Sequence, residues 1–219
     1  MRKNLDSLIE FFKIYSEDKL ALIFFIILVF ILALVLVGPF FTLQNPYDLS
    51  QINILDSLLP PFSKSFENSY FFLGTDDQGR DLLSAIIYGL RISLYVGILS
   101  VIISLIIGIV LGVISAYFGG LIDSFIMRVA DMVLAMPSFL IALVLLSILG
   151  RGLENVVFAL VMSQWATFAR VIRSSALSEK EKDYFYSARC LCLPQSRIVF
   201  GHLLPNCLPP IIVLSTINL

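Results

Sequence analysis

Charge is what this chain has least of. Only 14% of its 219 residues are Asp, Glu, Lys or Arg and 58% are hydrophobic, whereas soluble domains carry roughly a quarter charged residues. Such a chain cannot cover a water-facing surface, so a soluble globular fold is excluded and lipid is the solvent for most of it. Cysteine and histidine are nearly as scarce. Cys190, Cys192, Cys207 and His202 offer one C-x-C and no second spaced pair, so no metal site is expected and the thiols read as small and reduced. A G-x-x-x-x-G-K-[ST] phosphate loop is missing, and no nucleophile, base and orienting group stand together. No catalytic residue, cofactor or nucleic-acid partner is therefore expected. "TDDQGRD" at 75–81 lacks the alternating acidic spacing and distal Glu of a calcium loop and reads as a turn and helix cap.

What is present is long apolar runs. Leu20 to Phe41 suffices to cross a bilayer, which takes about 20 residues. It is too long for a signal-peptide core and is followed by no small-x-small cleavage pattern. Residues 42–91 turn polar, broken by Pro46, Pro60 and Pro61. Their last part carries Asp76, Asp77 and Asp81 ahead of Leu82, Leu83, Ile86, Ile87 and Leu90, which share one helical face. That pattern predicts a helix capped by Asp76 or Asp77, lying along the membrane surface. A second span is expected from Ile92 to Phe118, where Gly97, Ser100, Ser104, Gly108, Gly112 and Ser115 allow close helix contact. A third runs from about Ile122 to Leu149, kinked at Pro137, and a fourth from Val156 to Ile172. After "NCLPP" only about a dozen apolar residues remain, too few to span. The fold expected is an all-α polytopic transmembrane helix bundle of about four full spans plus an incomplete fifth.

Alternation of these spans tests orientation. With residues 1–19 inside, the acidic 42–91 segment lies outside and residues 173–206 lie inside. Arg173, Lys180, Lys182, Arg189 and Arg197 then meet the positive-inside rule. This inner loop is longer than a simple turn needs. Tyr184, Ala188 and Leu191 make one apolar stripe, and Ile198, Val199, His202 and Leu203 a second, interrupted where Pro194 ends one helix and starts another. Two short helices with apolar faces and basic flanks suit a soluble partner's groove, membrane lipid being the other surface they would fit. Asp123, Arg128 and Asp131 raise a proton relay, and with it a proton-coupled secondary transporter. Their place near the start of a span favours a structural ion pair, with Arg128 and Asp131 three apart on one face. Met136 and Pro137 mark a kink that would line a pathway.

The loop resembles the permease subunits of binding-protein-dependent, ATP-driven importers, whose signature is Glu-Ala-Ala, then Gly four residues later, then Ile-x-Leu-Pro. Here Tyr186 stands at the Glu, Ser187 and Ala188 at the alanines, Cys192 at the Gly, and "HLLP" from His202 through Leu204 to Pro205 at the last element. "LGTDDQGRDLLSAIIYGLRISL" at 73–94, "YFGGLIDSFIMRVADMVLAMPSFLIAL" at 117–143 and the loop itself are similar to the oligopeptide, dipeptide and nickel permeases, and to the dipeptide-system C type in particular. The resemblance marks Gly74, Thr75, Asp76, Gly79, Arg80 and Asp81 as a family-signature segment. It marks Tyr184, Tyr186, Ser187, Ala188, Arg189, Leu191, Cys192, His202, Leu204 and Pro205 as an ATPase-coupling loop within about 174–206.

The resemblance implies a multi-pass subunit of the bacterial inner membrane with a cytoplasmic amino terminus. It implies cognate ATP-binding subunits, a homologous second permease and an external substrate-binding protein as partners, and peptides or nickel as cargo. The segments implied are 1–19 cytoplasmic, 20–41 first span, 42–91 periplasmic with an interfacial helix, and 92–219 permease core. Two departures bear on coupling: Cys192 forbids an easy positive-φ turn, and Tyr186 removes an acidic contact that Glu181 or Asp183 would have to replace. The family continues past the end of this chain. A truncated remnant without transport, or half of a split permease, is thus the alternative to a complete importer subunit.

Overall fold

The computed structural model describes residues 18–66, 70–191 and 193–218. The fold is all-α and multi-pass. Among the described residues four helices are long and apolar enough to cross a membrane: Lys19–Phe40, Leu82–Phe118, Leu153–Lys180 and Val199–Ile217. Helix answers the bilayer's main demand, since every backbone N–H and C=O is then bonded within its own segment. The only strands among the described residues are a minimal antiparallel pair, β1 (Ser63–Lys64) and β2 (Tyr70–Phe71). The chain divides into two compact units, Met1–Ser93 and Leu94–Leu219.

In the first unit, α1 (Lys19–Val37) is capped by Asp18, whose Oδ1 accepts from Leu20 N at 2.9 Å. It buries none of its side chains. Gly38 follows, and a Cβ there would lie 2.7 Å from Ile87 Cγ2. The polar segment after it folds on the buried Asp56, which accepts from Ser65 Oγ at 2.6 Å and Phe66 N at 2.8 Å. α2 (Leu82–Phe118) then opens on Asp81, whose Oδ2 accepts from Ser84 N at 2.9 Å.

Two expectations change here. The cap is Asp81 rather than Asp76 or Asp77, because Asp76 is occupied in the preceding turn, where its Oδ1 accepts from Gln78 N and Arg80 N. The residues expected to form a separate interfacial helix are the first turns of α2, which continues unbroken for 37 residues. At 1.5 Å per residue that is about 55 Å, well beyond the roughly 30 Å hydrocarbon core.

The second unit is built around α5 (Leu153–Lys180), which packs on α3 (Gly120–Leu134), α4 (Ser138–Leu149) and α8 (Leu204–Ile217). Its inward face is Ala159, Ala166, Phe168, Ala169, Ile172 and Ala176, all fully buried. Against it lies the small-residue stripe of α2, with Ser100, Ser104 and Ser115 buried. The contact is closest at two glycines four residues apart. A Cβ on Gly108 would sit 2.4 Å from Phe168 Cβ, and one on Gly112 2.6 Å from Ala169 O. Lipid offers no hydrophobic drive for two helices to meet, so backbone approach of this kind carries the association.

The third expected span is broken. α3 and α4 meet at an 87° bend over Ala135–Pro137, with Pro137 at the N-cap of α4. Proline lacks the N–H that would continue α3, and its ring disfavours helical geometry in the residue before it. Asn155 closes the other end, its Nδ2 donating to Leu149 O at 3.0 Å and Gly150 O at 3.1 Å. The apolar end expected to fall short of a span joins the π-helical turn before it and reaches 19 residues, Val199–Ile217.

Gly112→Ala is expected to destabilise the second unit by about 1–3 kcal/mol, the usual cost of overpacking a filled contact. Gly89→Ala, where an added Cβ meets nothing within 4 Å, should leave stability unchanged or slightly higher. Thermal unfolding of the two variants in detergent checks the contrast.

Candidate functional site

The loop between α5 and α8 folds as a bonded corner followed by short helices. At the corner Glu181 N donates to Ser178 O, Lys182 N to Glu179 O, and Phe185 N to Lys182 O. α6 (Asp183–Cys190) follows. Pro194 then accepts from Arg197 N at 2.9 Å and starts α7 (Gln195–Ile198), as the sequence places it. A π-helical turn, Val199–Leu203, joins α7 to α8, closed by Leu204 N donating to Val199 O. Pro205 has no N–H to return to Gly201, and the extra residue of a π-turn accommodates its ring.

The orientation of the loop differs from the expected one. Ala188 does not face outward: it is buried with Phe185, Ile198, Leu203 and Cys207 in the core that Phe168, Ile172 and Ala176 of α5 complete. The stripe read as a docking face is the loop's own seal against its spans, because helical spacing shows which residues share a face and not what covers it. Leu191 leaves this stripe and is 73% exposed, and Tyr186 is 54% exposed. Ser187 and Pro205 are exposed, His202 and Leu204 half-buried, and Arg189 lies within α6. Cys192 lies outside the described residues.

Beneath α6 sits a polar group that the sequence reading passed over. Glu179, 8% exposed, accepts from Lys182 Nζ and from Tyr184 Oη, each at 2.6 Å. Tyr184 Oη accepts in turn from Asn206 Nδ2 at 3.1 Å. Burial, and then the bond to Glu179, hold the Tyr184 phenol above its usual range, so at neutral pH it stays a donor. The signal available in sequence was the Glu179 and Lys182 pair three apart.

Ion pairs tie α3 to α5 near the same loop. Arg173 Nη2 donates to Asp123 Oδ2 at 2.6 Å, and Ser115 Oγ donates to Asp123 Oδ1. Arg170 pairs with Asp131, and Lys180 Nζ reaches Ala116 O at 2.7 Å. The expected partner of Asp131 was Arg128. Arg128 is exposed and makes no ion pair among the described residues. Cross-helix arginines fifty and thirty-nine residues away in sequence pair with both carboxylates.

The bend at Pro137 opens a cavity of about 690 Å³ between α4 and α5, lined by Met136, Phe139, Ser163, Gln164 and Thr167 among others. Met136 thus lines a cavity and Pro137 makes the bend. The signature segment holds the polar region of the first unit together. Gly74 and Gly79 adopt φ of +81° and +80°, and a Cβ on either would strike the carbonyl of Leu59 or Asn53. Thr75 Oγ1 accepts from Leu59 N at 2.8 Å and donates to Asp56 O, and Arg80 pairs with Asp76.

A double-mutant cycle on Asp123→Ala and Arg173→Ala should return a coupling of about 1–2 kcal/mol, between the values of exposed and fully buried pairs. Chemical or thermal unfolding of the four proteins measures it.

Comparison with known proteins agrees with this architecture. The family described as "Binding-protein-dependent transport system inner membrane component" matches residues 108–219, and the "N-terminal TM domain of oligopeptide transport permease C" matches residues 8–61. The chain is 36% identical over 210 residues to the dipeptide transport system permease protein DppC of Haemophilus influenzae, covering 96% of this chain and 70% of that protein. It is 38% identical over 210 residues to DppC of Escherichia coli, covering 95% and 69%. To the oligopeptide transport system permease protein OppC of Bacillus subtilis it is 33% identical over 204 residues, covering 93% and 64%. These matches take in the bent helix pair, the α2–α5 contact and the loop, and the chain belongs to the family of binding-protein-dependent transport system inner membrane components, among permeases of the oligopeptide and dipeptide C type.

Proposed function

We propose that this chain is a transmembrane permease subunit of an ATP-driven importer of di- or oligopeptides. It works with ATP-binding subunits, a homologous second permease and an external substrate-binding protein. The observation that carries the reading is its identity, through both the polar segment and the loop, to proteins named as dipeptide and oligopeptide permeases. The amino terminus lies in the cytoplasm, as the basic residues of 173–206 favour, and the loop then faces the ATP-binding subunits.

Within that reading the docking face is the exposed edge of α6 and the residue after it: Tyr186, Ser187 and Leu191. Exposed aromatic and aliphatic groups beside polar ones suit a partner's cleft. The buried side of the same helix transmits what happens there, because Phe185 and Ala188 are packed against α5 and the π-turn. Cargo passes along the cavity beside Met136, whose Ser163, Gln164 and Thr167 supply hydroxyl and amide groups able to bond a peptide backbone. The protein's part is conformational: ATP-driven closure in the partners shifts the loop, and the spans exchange outward and inward openings.

ATP-dependent uptake of a labelled dipeptide by vesicles carrying the full complex tests the function, and uptake that needs only a proton gradient would refute it. The docking face has its own test. Leu191→Asp and Tyr186→Asp should reduce co-purification of the ATP-binding subunits at least severalfold while the permease stays in the membrane. Ala188→Asp should instead lower the amount of folded permease, since it places a carboxylate in a sealed apolar contact.

A further inference from the structure

We propose that Glu179 is a positioning residue that locks α6 to the ends of both α5 and α8, so that movement of the loop is delivered to two spans at once. The inference rests on the importer reading above and adds a residue to its machinery. Three elements meet at one chain of hydrogen bonds: Glu179 on α5, Tyr184 on α6 and Asn206 on α8. Glu179 is one of the few buried charged residues among those described, and burying a carboxylate is costly unless donors surround it. Here Tyr184 Oη and Lys182 Nζ each donate to one of its oxygens at 2.6 Å. Asn206 uses Nδ2 twice, toward Tyr184 Oη at 3.1 Å and His202 O at 2.9 Å, so the chain of bonds ends on the π-turn.

Packing makes this a strut rather than a decoration. Directly beside it Phe185, Leu203 and Cys207 are fully buried, so α6 has no room to pivot while the bonds hold. The backbone corner at 181–185 is itself hydrogen-bonded. The apolar contact of Phe185 and Ala188 with Leu203 and Cys207 resists separation but lets helices slide, since it has no direction. Hydrogen bonds to a charged group fix direction as well as distance.

The test uses the complete importer reconstituted in lipid vesicles, with a labelled dipeptide as cargo. Two variants are compared with wild type: Tyr184→Phe removes the hydroxyl that joins Glu179 to Asn206, and Asn206→Ala removes the α8 end of the chain of bonds, each with little change of volume. The quantity read is ATP hydrolysed per dipeptide taken up. In complexes that keep their ATP-binding subunits, Tyr184→Phe should raise that ratio about tenfold, the scale of a lost hydrogen bond to a charged partner, and Asn206→Ala about fivefold, the scale of a lost neutral one. Glu179→Asp, which keeps the charge, should restore more coupling than Glu179→Gln. A wild-type ratio in both link variants overturns the proposal, and so does failure of both to assemble, which would make the cluster purely structural. Wild-type complexes that take up no dipeptide under ATP defeat the importer reading itself, a result distinguishable from coupled uptake with unaltered variants.

Discussion

The close approach of α2 and α5 at Gly108 and Gly112 is the contact on which the rest of the second unit depends. Lipid surrounds both helices, so neither is driven toward the other by expulsion of water, and dispersion between backbones at short range has to do that work. Side chains at these two positions would hold the axes apart. Instead Phe168 and Ala169 lie against bare backbone, and α5 takes the central place from which it touches α3, α4 and α8. Its short side chains, Ala159, Ala166, Ala169 and Ala176, keep those neighbours near as well.

Once α5 is central, polar chemistry collects at one end of it. Arg170, Arg173, Glu179 and Lys180 follow one another along its last three turns, and each has a bonded partner on another element or just beyond the corner. Individually the pairs add about 1–2 kcal/mol at most, because charges near a membrane edge retain some water. Their consequence is register: α3 and the corner of the loop cannot slide along α5 without parting charges. The opposite half of α5 is different, with Ser163, Gln164 and Thr167 facing a cavity rather than a partner. One helix thus has a fixed end and an open middle, which suits a part that transmits motion to a passage.

Much of this was legible in the sequence, and what was not has physical reasons. Apolar run length located the spans, and the glycines and serines of α2 announced a close contact. Pro137 announced a bend, although a proline by itself does not say how far two segments will turn, and 87° is beyond a kink. The cap of α2 was ambiguous because Asp76, Asp77 and Asp81 all satisfy the same local rule, and only the turn that engages Asp76 decides among them. Local spacing offered Arg128 to Asp131, whereas the fold supplied Arg170 from a distant helix. The loop stripe holds for Tyr184 and Ala188 and loses Leu191, which is exposed. Its direction was not legible, since Ala188 is as small and apolar facing its own spans as it would be facing a partner. In the signature segment, Gly74 and Gly79 were visible as motif residues, and the fold supplies their cause: carbonyls of Leu59 and Asn53 occupy the space a side chain would need.

The central claim is that the end of α5, the loop helix α6 and the start of α8 form one body through which motion passes. Electron cryomicroscopy of the assembled complex without nucleotide and with trapped ATP tests it most directly. The account predicts that residues 172–206 superpose between the two states, with Tyr184 still bridging Glu179 and Asn206, while α5 and α8 change their angle to α2. A loop helix that swings relative to the end of α5, with that bridge broken in one state, would contradict it.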